Sequence, residues 1–260
     1  AGAWADIDPT LVPDIAAGRL RTRAAEVGAS FGPQQTGTRP AQVMVAGREV
    51  GLDLLHATEG VALAEGRTAR YKGVAAATDL LYEATGRGVK ETLVLASAEA
   101  PDTFSFYIHS DGLALAHDPA MGWSLNDPAT GERVLQVGSL LVFDSSTNEL
   151  GDPAYCAEAS MTVEPAFGGA VATYEVPREW LDDPSRVWPV MIDPTLSTVA
   201  TEDTYMSSGE AVERGLQCLV HVVLVVDDRS DALEAGLQGR GHGALRVLVE
   251  EHRAEPAHRH

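Results

Sequence analysis

The stretch from Asp79 to Ile108, DLLYEATGRGVKETLVLASAEAPDTFSFYI, limits the fold more than any other part of the chain. It holds two strand-like runs, Val89–Leu95 and Thr103–Ile108, joined by a polar connection that contains Pro101. In the first run Val89, Glu91, Leu93 and Leu95 share one face, while Lys90, Thr92 and Val94 share the other. In the second, Phe104, Phe106 and Ile108 fall together. Such alternation, rich in β-branched and aromatic residues, marks half-buried strands, because successive side chains leave a strand on opposite sides. The two runs are expected to pair at the centre of an antiparallel sheet. Lys90 and Glu91 project to opposite faces and cannot pair with each other. Solvent is the default for both, and a buried one is expected to have a structural partner elsewhere.

The rest of the chain reads as more strands. Before the central stretch, short apolar runs at Ala41–Ala46, Glu49–Leu55 and Val61–Leu63 are separated by Gly47 and Gly60, the pattern of a meander. Ala3–Gly32 fits two or three short strands, with a helix over Ala16–Val27 as the alternative, and Ala75–Tyr82 fits a short helical turn. Later runs at Leu113–Ala116, Trp123–Leu125, Glu132–Val137 and Leu140–Phe143 are again short. Ala159–Val163 and Val171–Val176 suggest a pair around Gly168-Gly169. Val187–Ile192 reads as a strand that Pro189 puts at an edge or near a bulge. These runs predict an all-β domain over residues 3–198, an antiparallel β-sandwich of two packed sheets. Residues 199–209 read as the start of a truncated second domain. Residues 210–260 carry five of the eight histidines and no Trp, Tyr or Phe, an abrupt change of composition. That tail reads as mixed α/β, frame-shifted or disordered text.

Charge narrows the choice of partners. Thirty-eight acids against 19 Lys and Arg give a formal net charge of -19, a field that repels a phosphate backbone and an anionic lipid surface. Nucleic acid is therefore not expected as a partner. The longest apolar run, Leu216–Val226, is too short to cross a bilayer and contains His221, so no membrane insertion is expected. Two cysteines, Cys156 and Cys218, lie in regions of different character and do not make a disulfide scaffold. The chain has no initiator Met and no basic-then-apolar leader, and is expected to start within a longer polypeptide.

Candidate sites are few. The loops Asn126–Glu132 (NDPATGE) and Asp144–Asp152 (DSSTNELGD) offer Asp127, Glu132, Asp144 and Asp152 as calcium ligands, since Ca²⁺ takes about six to eight oxygens. Neither loop has EF-hand spacing, and the same residues serve turns. Trp123, Trp180 and Trp188 are candidates for stacking on sugars. The chain has no G-x-S-x-G serine elbow, and Cys156 has no histidine near it in sequence, leaving only His109 or His117 to approach in space. Acid pairs for glycoside cleavage could be drawn from Asp193, Asp144 or Glu91, but with so many acids such a choice has no force. His252, His258 and His260 have loose metal-like spacing in the atypical tail. No catalytic residue is assigned, no enzymatic activity is expected, and no cofactor beyond calcium is a candidate.

Several segments occur in a telling order: Trp4–Leu11 (WADIDPTL), Tyr71 and Val74, Asp79–Tyr82 (DLLY), Gly88–Leu95 (GVKETLVL) and Val187–Thr195 (VWPVMIDPT). Together they resemble the N-terminal extracellular region of large bacterial surface proteins of the wall-associated, RHS/YD-repeat and polymorphic-toxin type. In those proteins this region precedes a DNRLRE domain, whose first strand Thr201–Gly209 (TEDTYMSSG) resembles. The resemblance implies a secreted or cell-wall-associated β-sandwich that acts as a structural or presenting module, with downstream domains of the same polypeptide as its partners. The alternative is a module that binds carbohydrate or wall polymer, and a hydrolase is a third reading.

Overall fold

The structure is a computed structural model that describes residues 7–197 except 26, 36–38, 46, 87, 111, 120 and 121. The expectations for Trp4, for the 199–209 segment and for the 210–260 tail lie outside the described residues. The strands run in the order β1 (Asp8–Asp14), β2 (Arg19–Ala24), β3 (Gly28–Phe31), β4 (Ala41–Val45), β5 (Arg48–Leu54), β6 (Leu63–Glu65), β7 (Thr68–Ala75), β8 (Thr78–Ala84) and β9 (Gly88–Leu95). They continue with β10 (Thr103–His109), β11 (Ala114–Asp118), β12 (Gly122–Asn126), β13 (Arg133–Val137), β14 (Leu141–Phe143), β15 (Ser160–Ala166) and β16 (Gly169–Glu175). One short helix, α1 (Arg178–Leu181), precedes β17 (Val190–Asp193) and β18 (Thr195–Ser197).

All pairings are antiparallel, and they build two sheets. One has eight strands in the order β1-β2-β3-β4-β5-β10-β16-β15. The other has ten, ordered β11-β12-β13-β18-β9-β8-β7-β6, with β17 between β14 and β9. The chain is thus an all-β sandwich. Alternation sets its inner faces: Thr78, Leu80, Tyr82 and Ala84 of β8 are buried, as are Val89, Glu91, Leu93 and Leu95 of β9. In the first sheet Phe104, Phe106 and Ile108 of β10 do the same. Aromatic rings fill the interior, with Phe31 stacked on Tyr82 at 5.8 Å between centroids and Phe106 against Tyr174 at 5.3 Å.

Several expectations change in the structure. β9 and β10 do not pair; β9 lies between β8 and the β17–β18 strands, and β10 between β5 and β16. Each is interior, but in different sheets. Residues 96–102 are long enough to cross the sheet-to-sheet gap of about 10 Å, so each strand buries its apolar face from within its own sheet. Ala75–Tyr82 is not a helical turn: β7 and β8 form a hairpin in which Ala75 opposes Thr78, and Ala77 takes a φ of 45° at the corner. The period-two burial of β8 outweighs the helix preference of three consecutive alanines. The helical alternative over Ala16–Val27 gives way to β2, paired on both sides. Val190–Asp193 is no edge strand, since β9 and β14 flank it. Pro189 stands just before its first ladder residue, where a missing N–H costs nothing.

Polar links tie the sheets together along their margins. Leu11 N–H donates to the Gly66 carbonyl at 2.9 Å, joining β1 to the β6–β7 turn. The Tyr71 hydroxyl donates to the Gly32 carbonyl at 2.8 Å. Arg48 of β5 pairs with Asp127 beyond β12 while donating to the Gly112 carbonyl, and within the first sheet Arg19 donates to the Ser30, Arg39 and Pro40 carbonyls.

The close approach of β10 and β16 gives a first prediction. A Cβ added at Gly169 would lie 2.0 Å from the Ile108 carbonyl oxygen, a backbone atom that cannot swing aside. Gly169→Ala is expected to lower stability by about 3 kcal/mol, as overpacking against fixed atoms does. Urea unfolding of wild type and variant measures it, and an unchanged midpoint would contradict the packing described.

Candidate functional site

The most highly connected polar group in the described chain is the Asp144 carboxylate, which stands where β14 ends and the polar loop begins. Its side chain is 1% exposed. It accepts hydrogen bonds from the backbone N–H groups of Ser146 (2.9 Å), Val187 (3.1 Å) and Ala154 (3.3 Å), and from the Ser146 hydroxyl. The Arg186 guanidinium pairs with it at 2.9 Å. Arg186 also donates to the Trp180 carbonyl at 3.1 Å and lies 3.6 Å above the Trp180 ring. Burial alone would raise the Asp144 pKa; the bonds from Ser146, Val187 and Ala154 reverse this and bring it to about 2. One carboxylate thereby fastens the 144–154 loop, the helix α1 and the approach to β17 in one place.

The other proposed calcium ligands are placed in turns. Asp127 pairs with Arg48 and accepts the N–H groups of Ala129 (2.8 Å) and Thr130 (3.4 Å). Glu132 is exposed, and its N–H caps onto the Thr130 hydroxyl at 3.2 Å. Asp152, also exposed, accepts from Asn148 at 3.4 Å. Among the described residues no group of three or more His, Cys, Asp or Glu is arranged to hold a metal ion. Two of the four carboxylates already have an arginine as their cation.

The three tryptophans are half-buried and pack against the core. Trp123 on β12 has the His117 ring at 4.5 Å, and Trp180 is covered by Arg186. Trp188 follows Val187, whose N–H belongs to the Asp144 cluster. Cys156 is a free, buried thiol whose pKa burial pushes up, the opposite of an activated nucleophile. His109 leans on Tyr107 at 4.5 Å between rings. The acids that could have been paired for glycoside cleavage are also accounted for: Asp193 pairs with Lys90 at 2.7 Å on the face of β9 opposite Glu91.

Sequence reasoning missed the Asp144–Arg186–Trp180 cluster because 42 residues separate the ion pair. It also missed a small apolar hollow of about 230 Å³ beside the β1–β2 turn, lined by Pro13, Ile15, Leu20, Phe31, Pro33 and Val61 among others. Its charged neighbours are Asp14 and Arg19, and Arg19 is committed to backbone carbonyls.

An all-β sandwich with acid loops clamped by arginine is thus what the fold and its polar clusters define. Over 132 residues, half of this chain, it is 30% identical to the tRNA3(Ser)-specific nuclease WapA of Bacillus spizizenii. The same share matches, at the same identity, the tRNA(Glu)-specific nuclease WapA of Bacillus subtilis subsp. natto and the tRNA nuclease WapA of Bacillus subtilis. The matched part spans 6% of the length of each of these relatives. No family model matches the chain, and no solved structure matches it. The similarity agrees with the wall-associated, toxin-type resemblance in its broad form and does not reach its RHS, YD-repeat or DNRLRE parts. It corrects one expectation: a chain expected to have no enzymatic activity is similar to proteins named as nucleases.

The Asp144 cluster generates the second prediction. Asp144→Ala leaves the buried Arg186 with only the more exposed Asp183 at 3.9 Å and is expected to cost about 3 kcal/mol at neutral pH. Because the folded-state pKa is depressed, the stability Asp144 provides is present above the ordinary aspartate value and lost as pH falls towards about 2. Wild type should therefore lose about 2 kcal/mol over that acid range that the variant does not lose. Urea unfolding at a series of acid pH values checks both.

Proposed function

We propose that this chain is the presenting β-sandwich of a wall-associated, toxin-type surface protein of the tRNA-nuclease kind, held outside the cell and joined to further domains of the same polypeptide. The observation that supports this most is the 30% identity to the WapA nucleases over half of this chain but only 6% of their length. In this reading the nuclease lies in other parts of a long polypeptide, and the sandwich gives it a rigid body at the wall. The net charge of -19 fits that division of labour, since such a field repels a tRNA backbone. The DNRLRE domain and YD repeats implied by the sequence resemblance belong to the same proposal.

The alternative, a module stacking wall sugars on Trp123, Trp180 and Trp188, has less support. All three rings pack against the core, and one is already stacked under an arginine.

The third prediction separates these roles. Deleting residues 7–197 from the polypeptide that carries them should abolish its recovery from the wall fraction of intact cells while tRNA cleavage in lysates continues. Loss of cleavage with unchanged wall recovery would overturn the proposal. Cosedimentation of the chain with purified peptidoglycan, lost on Trp123→Ala, would favour the sugar-binding reading.

A further inference from the structure

One ionisable side chain stands on the inner face of β9, between Val89 and Leu93. Glu91 is 3% exposed. Its cross-strand partner is Tyr82 of β8, which is fully buried, stacked on Phe31 and met edge-on by Tyr71 of β7. From the facing sheet, the Tyr174 hydroxyl of β16 acts on the Glu91 carboxyl, as that of Tyr82 does beside it, and each favours the ionised form. The titratable groups that act on Glu91 are Tyr174, Asp193 of β17 and Tyr82, none of them a cation. Asp53 of β5 acts in turn on Tyr82. Lys90 leaves β9 on the other face and is engaged by Asp193.

Two atoms in this cluster lack a hydrogen-bond partner: Glu91 Oε1 and Tyr82 Oη, on residues directly opposite each other. A phenol donates as well as accepts, so hydrogen bonding to the tyrosines is open to either form of Glu91, and it is the burial of the carboxyl away from any cation that favours the neutral acid. An ionised Glu91, by contrast, would be a buried charge with no counter-charge, which is costly in an apolar interior.

We propose that Glu91 is a proton-operated clasp between the two sheets: as a neutral acid it sits in the interior between Tyr82 and Tyr174 at little cost, and on losing its proton it becomes a buried charge without a cation and loosens the sandwich. Burial raises the Glu91 pKa to about 8; the Tyr174 bond opposes this, Asp193 reinforces it, and Tyr82 opposes it again. Since the folded-state value exceeds the unfolded one, the clasp is complete below the ordinary glutamate range. Its contribution is lost as pH climbs from there to about 8, and no more is lost above that. Asp144 behaves oppositely and affects only the acid end.

The test is urea unfolding of the full chain, wild type against Glu91→Gln, from mildly acid pH to beyond about 8. Glutamine keeps an N–H donor and an oxygen acceptor at the same place but cannot ionise. The ratio of folding constants, variant over wild type, should rise by about tenfold per pH unit across the window and then level off. Parallel curves would overturn the proposal. Should the variant not fold, the infrared spectrum of the wild-type chain decides. The carbonyl stretch of a protonated carboxylic acid should be present at neutral pH, disappear near pH 8, and be lost at neutral pH on unfolding. Its absence at neutral pH would equally overturn the clasp. In Tyr174→Phe, which removes a donor to the carboxylate, the same band should persist to higher pH.

Discussion

The contact of the two inner sheet faces is what the rest of this structure depends on. A strand of alternating character has one face to bury, and here two large sheets each offer such a face, lined by Leu80, Leu93 and Leu95 on one side and Phe106 and Ile108 on the other. At about 25 cal/mol for each Å² of apolar surface removed from water, burial on this scale fixes the register, because a slip of one residue turns a whole strand inside out. The seam also explains the chain path. β9 and β10 are consecutive, yet each is interior to its own sheet, so 96–102 carries the chain from one layer to the other. Everything polar has to be arranged around that seam.

The chain solves the problem of buried charge in two ways. Asp144 is ionised, with hydrogen-bond donors and the Arg186 guanidinium gathered around it, and acts as a fixed point for three separate segments. Glu91 has hydroxyl groups and no cation, and its environment suits the neutral acid. Arginine carries nearly all the positive charge, since Lys72 and Lys90 are the two lysines of the chain. The forked guanidinium suits this use: Arg19 binds three carbonyls, and Arg186 serves a carboxylate, a carbonyl and an indole ring together. With acids outnumbering bases two to one, the arginines spent in such staples leave the surface still more acidic.

Strand identity was legible from the sequence because alternation is a local property. β9, β10, β15 and β16 fall where period-two patterning puts them. Even the burial of Glu91 opposite Lys90 was one of the outcomes the alternation allowed. Pairing was not legible, since no local feature of Val89–Leu95 says whether Thr103–Ile108 lies beside it or across from it. The same limit governed the sites. Asp144 and Asp127 sit in loops of Asp, Asn, Ser and Gly, and that composition serves a calcium site, an Asx-type turn or an ion pair alike. What distinguishes them is Arg186 and Arg48, supplied by distant parts of the chain. The tryptophans were ambiguous for a related reason: an indole at a strand or helix end packs inward or outward according to neighbours that only the fold supplies.

The margins of the sandwich bear on the presenting role proposed for it. Sheets with open edges invite pairing with other chains. On one side β1 is tied to the β6–β7 turn through Leu11 and Gly66, and β6 is only three residues long. On the other, the edge strand β15 carries exposed Glu164 and Pro165, the second of which has no N–H to offer. Margins guarded in this way limit strand pairing with other chains, which suits the presenting role proposed above. Its cohesion is then set by its interior rather than by its contacts. On the proposal made for Glu91, the protonation of one buried acid between the layers makes that cohesion depend on pH.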